Sequence, residues 1–244
     1  MEKYFNAAYI LDAIPKLLPY LGITFMITGL SVLFGTLLGF ALAVAKIRKG
    51  KVSLKIANAY TTAMRCTPSI VLLFLTYYGI PAITENFGVD LNDVDKAVFI
   101  VITFSLQFAA AMCEVIRTAY DSVDRGQYEA SVSVGLNSIQ AYALIIFPQA
   151  LVVAIPNIGN SILSLFKEGA LAYTIGLIDI MGKASLIIAG NYNAHALETY
   201  IALSLIYWVI SVVIEQTFIK TENKLSKGRQ IGINIAGGDR YVKL

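Results

Sequence analysis

Five apolar stretches dominate this chain: residues 20–45, 54–83, 97–119, 141–166 and 199–219. Each meets or exceeds the ~20 residues that a helix needs to cross the hydrocarbon core of a bilayer. A bilayer offers no water to backbone N–H and C=O groups, so a spanning segment must satisfy them internally, as an α-helix does. Charged residues make up only 14% of the 244-residue chain, well under the roughly one quarter usual in a soluble domain. The expected fold is therefore an all-α integral membrane protein with five transmembrane helices. A weaker apolar stretch, 170–190, contains Gly176, Asp179, Gly182 and Lys183 and reads as re-entrant or loop-like. Residues 1–19 set Phe5, Ile10, Leu11, Ile14 and Leu18 against Lys3, Asp12 and Lys16. That pattern suits an amphipathic segment lying along the interface. The domain reading is thus 1–19 interfacial, 20–220 transmembrane and 221–244 a tail. No cleaved signal peptide is expected, because a basic start, a compact apolar core and a small-residue cleavage site are lacking.

Positive charge sets the expected orientation. Lys46, Arg48, Lys49, Lys51 and Lys55 follow the first span, and Lys220, Lys224, Lys227 and Arg229 follow the last. Both groups are expected in the cytoplasm. The loop 84–96, with Glu85, Asp90, Asp93 and Asp95, is expected outside. An odd number of spans then puts the N-terminus outside and the C-terminus inside, and residues 120–140 in the cytoplasm. The net charge of +3 marks no nucleic-acid surface, since no Lys/Arg-rich face recurs along the chain.

The cytoplasmic stretch 121–140 is rich in small residues. Around Gly126, Asp121, Asp124, Arg125 and Glu129 flank Ala130, Ser131, Ser133 and Gly135. Such a sequence suits a short helix, a tight turn at the glycine and a second short helix that meets a partner. Within the spans, Glu114 and Arg117 share a helix face at a spacing of three and are expected to pair, or else to line a substrate path. Arg65 either snorkels to the interface or orders the neighbouring Thr67-Pro68 break. Lys167, Glu168 and Asp179 fall where a span gives way to irregular chain, and such places at membrane depth often line cavities. With Thr67 they offer donors and acceptors to a zwitterion; the alternative is that these charges sit at the outer interface. Gly35 and Gly39 form a small-xxx-small pair that permits close helix packing. Cys66 and Cys113 read as two buried small hydrophobes, and His195 as a loop residue. No metal-ligand spacing and no catalytic triad is visible, and the sequence contains no G-x-x-x-x-G-K-[ST] phosphate loop.

Glu129-Ala130-Ser131, three residues, Gly135, nine residues, then Ile145 and Phe147-Pro148 closely resemble the EAA signature of ABC-importer permease subunits, E-A-A…G…I-x-L-P. Ser131 and Phe147 are the two departures. The likeness continues through most of the chain. Arg65-Cys66-Thr67-Pro68 with Tyr77-Tyr78-Gly79-Ile80-Pro81 is similar to the R-G-T-P…Y-F-G-L-P run of polar amino-acid permeases, with Cys66 in place of glycine. Ala110 to Arg117 resembles A-Y-x-A-E-x-x-R, and Gly126-Gln127-Tyr128-Glu129-Ala130 resembles G-Q-x-E-A. Pro148-Gln149-Ala150, Pro156, Asn160 and Lys167-Glu168 resemble P-Q-A…P…N…K-D, but Gly169-Ala170 replaces the family's hydroxyl pair.

This resemblance implies the type I ABC-importer permease fold and a multi-pass subunit of a prokaryotic cell membrane. It implies a second permease subunit, two ATPase subunits that bind ATP and Mg, and an extracytoplasmic binding protein as partners, within membrane lipid. This chain then holds no cofactor and catalyses no reaction itself. Gly126, Glu129, Ala130 and Gly135 are the expected ATPase-coupling residues. Thr67, Glu114, Lys167, Glu168 and Asp179 are the expected substrate-binding residues. The wording of 167–180, with Ala172 to Asp179 within it, leans toward L-cystine. The alternatives are a methionine or other amino-acid ABC permease, or an ion-coupled secondary transporter needing no ATPase.

Overall fold

A computed structural model describes the backbone of residues 5–236 and the side chains of residues 5–226. The part of the tail beyond them lies outside the described residues. Among these residues the chain is helical between its turns, with no strand.

Helix α1 (Ala7–Leu17) begins at Asn6, whose side chain accepts from the Ala8 N–H at 3.1 Å. A 3-10 turn at Leu18–Tyr20 leads straight into α2 (Leu21–Ile47), so Ala7–Ile47 forms one 41-residue apolar helical run. Helix α3 (Lys51–Cys66) and α4 (Ser69–Glu85) form a pair bent by 107°. The break has a local cause. Pro68 disfavours α-conformation in the residue before it, and Thr67 is extended at φ −96°, ψ 130°. Helix α5 (Lys96–Asp121) starts on Asp95, whose side chain caps the Ala97 N–H at 2.8 Å. After the short α6 (Arg125–Ser133) and α7 (Ser138–Ala141) come α8 (Phe147–Glu168), α9 (Ile180–Gly190) and α10 (Ala196–Ala236).

Four helical runs are long and apolar enough to cross a membrane, and five if the bent α3–α4 pair counts as one span. Four of the five expected spans are therefore present as long apolar helices, and the expected second span is a bent pair instead of one straight helix. The stretch 170–190, read as re-entrant or loop-like, is largely helical. It is a 3-10 turn (Gly169–Ile175), a left-handed Gly176 at φ +81°, and then the 11-residue α9. Gly182 weakens a helix interior but sits in the first turn of α9, where Asp179 caps its N–H. Helix α9 is apolar but too short to span.

Two cores organise the bundle. One gathers Ile27, Leu73, Ile100, Phe104, Phe108 and Leu165 from α2, α4, α5 and α8. Its tightest seam is α2 against α5. A Cβ built on Gly35 would lie 2.8 Å from the Ser105 carbonyl oxygen, and one on Gly39 would lie 2.8 Å from that of Ala109. The small-xxx-small pair thus packs within the subunit. The second core joins Ala13 and Leu17 of α1 to Ile180 and Ala184 of α9 and Leu203 of α10. The N-terminal segment is consequently docked on α9 and α10. His195, expected to be a bland loop residue, takes part in this docking. It stacks on Tyr9 at 4.2 Å between centroids, and Glu198 beside it accepts from the Asn6 N–H at 2.9 Å. Of the two cysteines only Cys113 is buried. Cys66 is exposed, because the helix break leaves it at the mouth of a cavity instead of inside an unbroken span.

Candidate functional site

The α3–α4 break opens a cavity of about 700 Å³ lined by Arg65, Thr67, Ser69, Gln107, Asn160 and Glu168, among others. Three helices meet there: the broken second span, the middle of α5 and the end of α8. Glu168 accepts a hydrogen bond from the Ser69 hydroxyl at 2.9 Å, and that hydroxyl accepts from the Gln107 amide at 3.0 Å. The Thr67 hydroxyl donates to the Ala63 carbonyl at 2.8 Å. The walls thus carry a carboxylate, a guanidinium and several neutral polar groups. That is the donor and acceptor mixture a small zwitterion needs.

The five expected substrate residues are not gathered in one place. Thr67 and Glu168 share this cavity. Lys167 is exposed and lies outside its lining. Asp179 is only 1% exposed and works as a cap: one oxygen accepts from the Gly182 N–H at 2.9 Å, the other from the Thr24 hydroxyl at 3.4 Å. Glu114 belongs to a second cavity of about 960 Å³ at the end of the bundle that holds α6. There it binds the buried Lys46 at 2.5 Å and Arg117 at 2.9 Å, while Arg117 reaches Asp121 at 2.8 Å. Lys46 also donates to Thr61 of α3 at 2.7 Å. The expected Glu114–Arg117 pair is present, and Lys46 is a partner that sequence spacing did not suggest. Ser69 and Gln107 were missed as well. They stand 38 residues apart, and Ser69 stands 99 residues from Glu168, so no local pattern joins them.

The stretch 121–140 folds as a helix, a turn and a helix. Asp124 caps α6 through the Gly126 N–H at 2.7 Å. Helix α6 ends in a Schellman turn: Leu136 N–H reaches the Ser131 carbonyl at 3.2 Å, and Gly135 N–H reaches that of Val132 at 3.0 Å. Gly135 sits at φ +91°, in the region that favours glycine. A Cβ there would meet nothing within 4 Å, so the requirement is on the backbone and not on space. Asn137 and Gln140 then form a reciprocal capping box on α7. Glu129 and Ala130 are exposed on α6, and Val134 and Ile139 are 78% and 80% exposed.

Comparison with known proteins decides the family. The profile of the binding-protein-dependent transport system inner membrane component matches residues 31–217, which covers the α6–α7 turn and both cavities. The chain belongs to this family. It is a multi-pass membrane subunit of the type I permease fold. Among the family's curated members, the chain is 41% identical to the L-cystine transport system permease protein TcyL of Bacillus subtilis (strain 168), over 94% of this chain and 95% of that one. It is 37% identical to the probable amino-acid ABC transporter permease protein PatM of Vibrio harveyi, over 91% and 97%. A solved amino acid ABC transporter, crystallised with histidines, superposes with a TM-score of 0.79 at 28% identity, covering 91% of this chain and 99% of its own. The methionine transporter MetNI shares the fold at a TM-score of 0.65 and 17% identity. Among the described residues, no group of His, Cys, Asp or Glu is placed to hold a metal ion.

Proposed function

We propose that this chain is the translocation subunit of an ATP-driven amino-acid importer and that its cargo is a polar amino acid of the L-cystine type. The observation that carries this reading is the near full-length match to a permease of an L-cystine transport system. In this reading α6 and α7 face the cytoplasm and dock on a separate ATPase. Gly126, Glu129, Ala130 and Gly135 shape the docking unit, and Val134 and Ile139 give it an apolar surface of the kind an interface core uses. ATP and Mg are bound by that partner. A second permease subunit completes the pathway, and a binding protein delivers cargo at the outer face. ATP can shift the equilibrium between outward and inward states only because its affinity differs between them, and it acts through the partner. Thr67 and Glu168 serve the substrate cavity. Glu114 holds the cytoplasmic end together, and Asp179 holds α9.

Reconstitution of the chain with its ATPase, paired permease and binding protein in proteoliposomes tests this. Radiolabelled L-cystine should accumulate when ATP is enclosed, with arginine, glutamine and methionine as comparisons. Uptake driven by an ion gradient without the ATPase would make the chain a secondary transporter instead.

A further inference from the structure

The cavity contains a one-way hydrogen-bond chain whose geometry has a direct chemical consequence. A carboxylate can only accept, so the Ser69 hydroxyl at 2.9 Å must donate to Glu168. Its lone pair then faces Gln107, whose amide must present N–H at 3.0 Å. All three residues line the same cavity. The Gln107 carbonyl oxygen is buried and has no hydrogen-bond partner among the described residues. Gln107 therefore leaves a buried polar atom unpaired while holding its amide toward Ser69. A freely rotating glutamate would spread its oxygens over many rotamers, whereas this one lines the cavity with one oxygen tethered. Arg65 lines the same space.

We propose that Gln107 and Ser69 are positioning residues that aim Glu168 at the ammonium group of the transported amino acid. The inference rests on the reading that this cavity holds substrate. Preorganisation of this kind raises affinity by removing the cost of ordering the acceptor after the ligand arrives. The cavity then selects α-amino acids over the same skeleton lacking the amino group.

Direct binding to the detergent-solubilised permease–ATPase complex, without the binding protein, provides the test. Radiolabelled L-cystine is the probe, and 3,3′-dithiodipropionic acid, which lacks both amino groups, is the competitor. Ser69→Ala should weaken cystine about tenfold, as expected for losing one hydrogen bond to a charged group, and leave competition by the diacid unchanged. Ser69→Thr should restore cystine binding. Gln107→Leu, which keeps the Ser69–Glu168 bond but frees the hydroxyl, should give a smaller loss in the same direction. Equal losses for both ligands, or no loss in either variant, would overturn the assignment and leave a structural tie. Absence of cystine binding, and of binding by arginine and glutamine, in the wild-type complex would instead remove the cavity as a substrate site.

Discussion

At the scale of single residues, Asp179 and Gly135 show how one position is explained by its backbone. Asp179 carries a charge in an apolar segment and so invites a substrate role, yet its carboxylate is consumed by Gly182 and Thr24. Asp179→Ala should cost about 2 kcal/mol of stability by removing a cap and leaving Thr24 short of a partner. Asp179→Asn, an equally good cap, should cost much less. Thermal unfolding of the purified subunit distinguishes the two, and equal losses would refute the capping role. Gly135→Leu places a branched side chain at φ +91° and should strain the turn by about 1–2 kcal/mol. The expected outcome is a subunit that inserts normally but fails to stimulate its ATPase, read by pull-down and phosphate release. Lys46 is buried at 6% exposure beside Glu114. Glu114→Ala should therefore cost about 3 kcal/mol by stranding that charge, and Lys46→Met in the same chain should recover most of it. A double variant no better than the single one would argue against this account.

Whole elements were legible in proportion to how much of their structure is local. The spans follow from apolar runs, and the α6–turn–α7 unit follows from small residues around Gly135. The α3–α4 break is announced by Pro68, but its 107° bend depends on what α4 packs against: its Leu73 is buried with Ile27, Ile100 and Phe104 in the central core. Helix α9 was hidden because the glycines Gly176 and Gly182 and the charged Asp179 and Lys183 interrupt the apolar run, although the Asp179 cap offsets Gly182 locally. The docking of α1 could not be read at all, since Tyr9 and His195 meet across most of the chain. At the α2–α5 seam, Gly35→Leu should sharply lower the yield of folded subunit in detergent, because backbone atoms of α5 occupy the space. Gly29→Ala, with nothing within 4 Å of the added Cβ, should be neutral and is the control. Size-exclusion profiles of the two variants decide the matter.

For the molecule as a whole, orientation is the property on which the functional reading turns. Cysteines placed at Val134 and Phe87, in a Cys66→Ser background, should label from opposite sides of sealed membranes, Val134 from the cytoplasm and Phe87 from outside. Labelling from the same side would reverse the placement of α6 and α7. The two cavities share a connecting element. Helix α3 is gripped in its C-terminal half by Lys46 through Thr61, and it ends at the break that presents Ser69. Its 16 residues make a rod about 24 Å long, so a tilt of only ~10° about one end sweeps the other through about 4 Å. A sweep of that size exceeds the reach of a hydrogen bond. A tilt of α3 that displaces the break therefore pulls on the 2.9 Å Ser69–Glu168 hydrogen bond just beyond it, so the ion-paired end of the bundle and the polar cavity are mechanically joined through one helix.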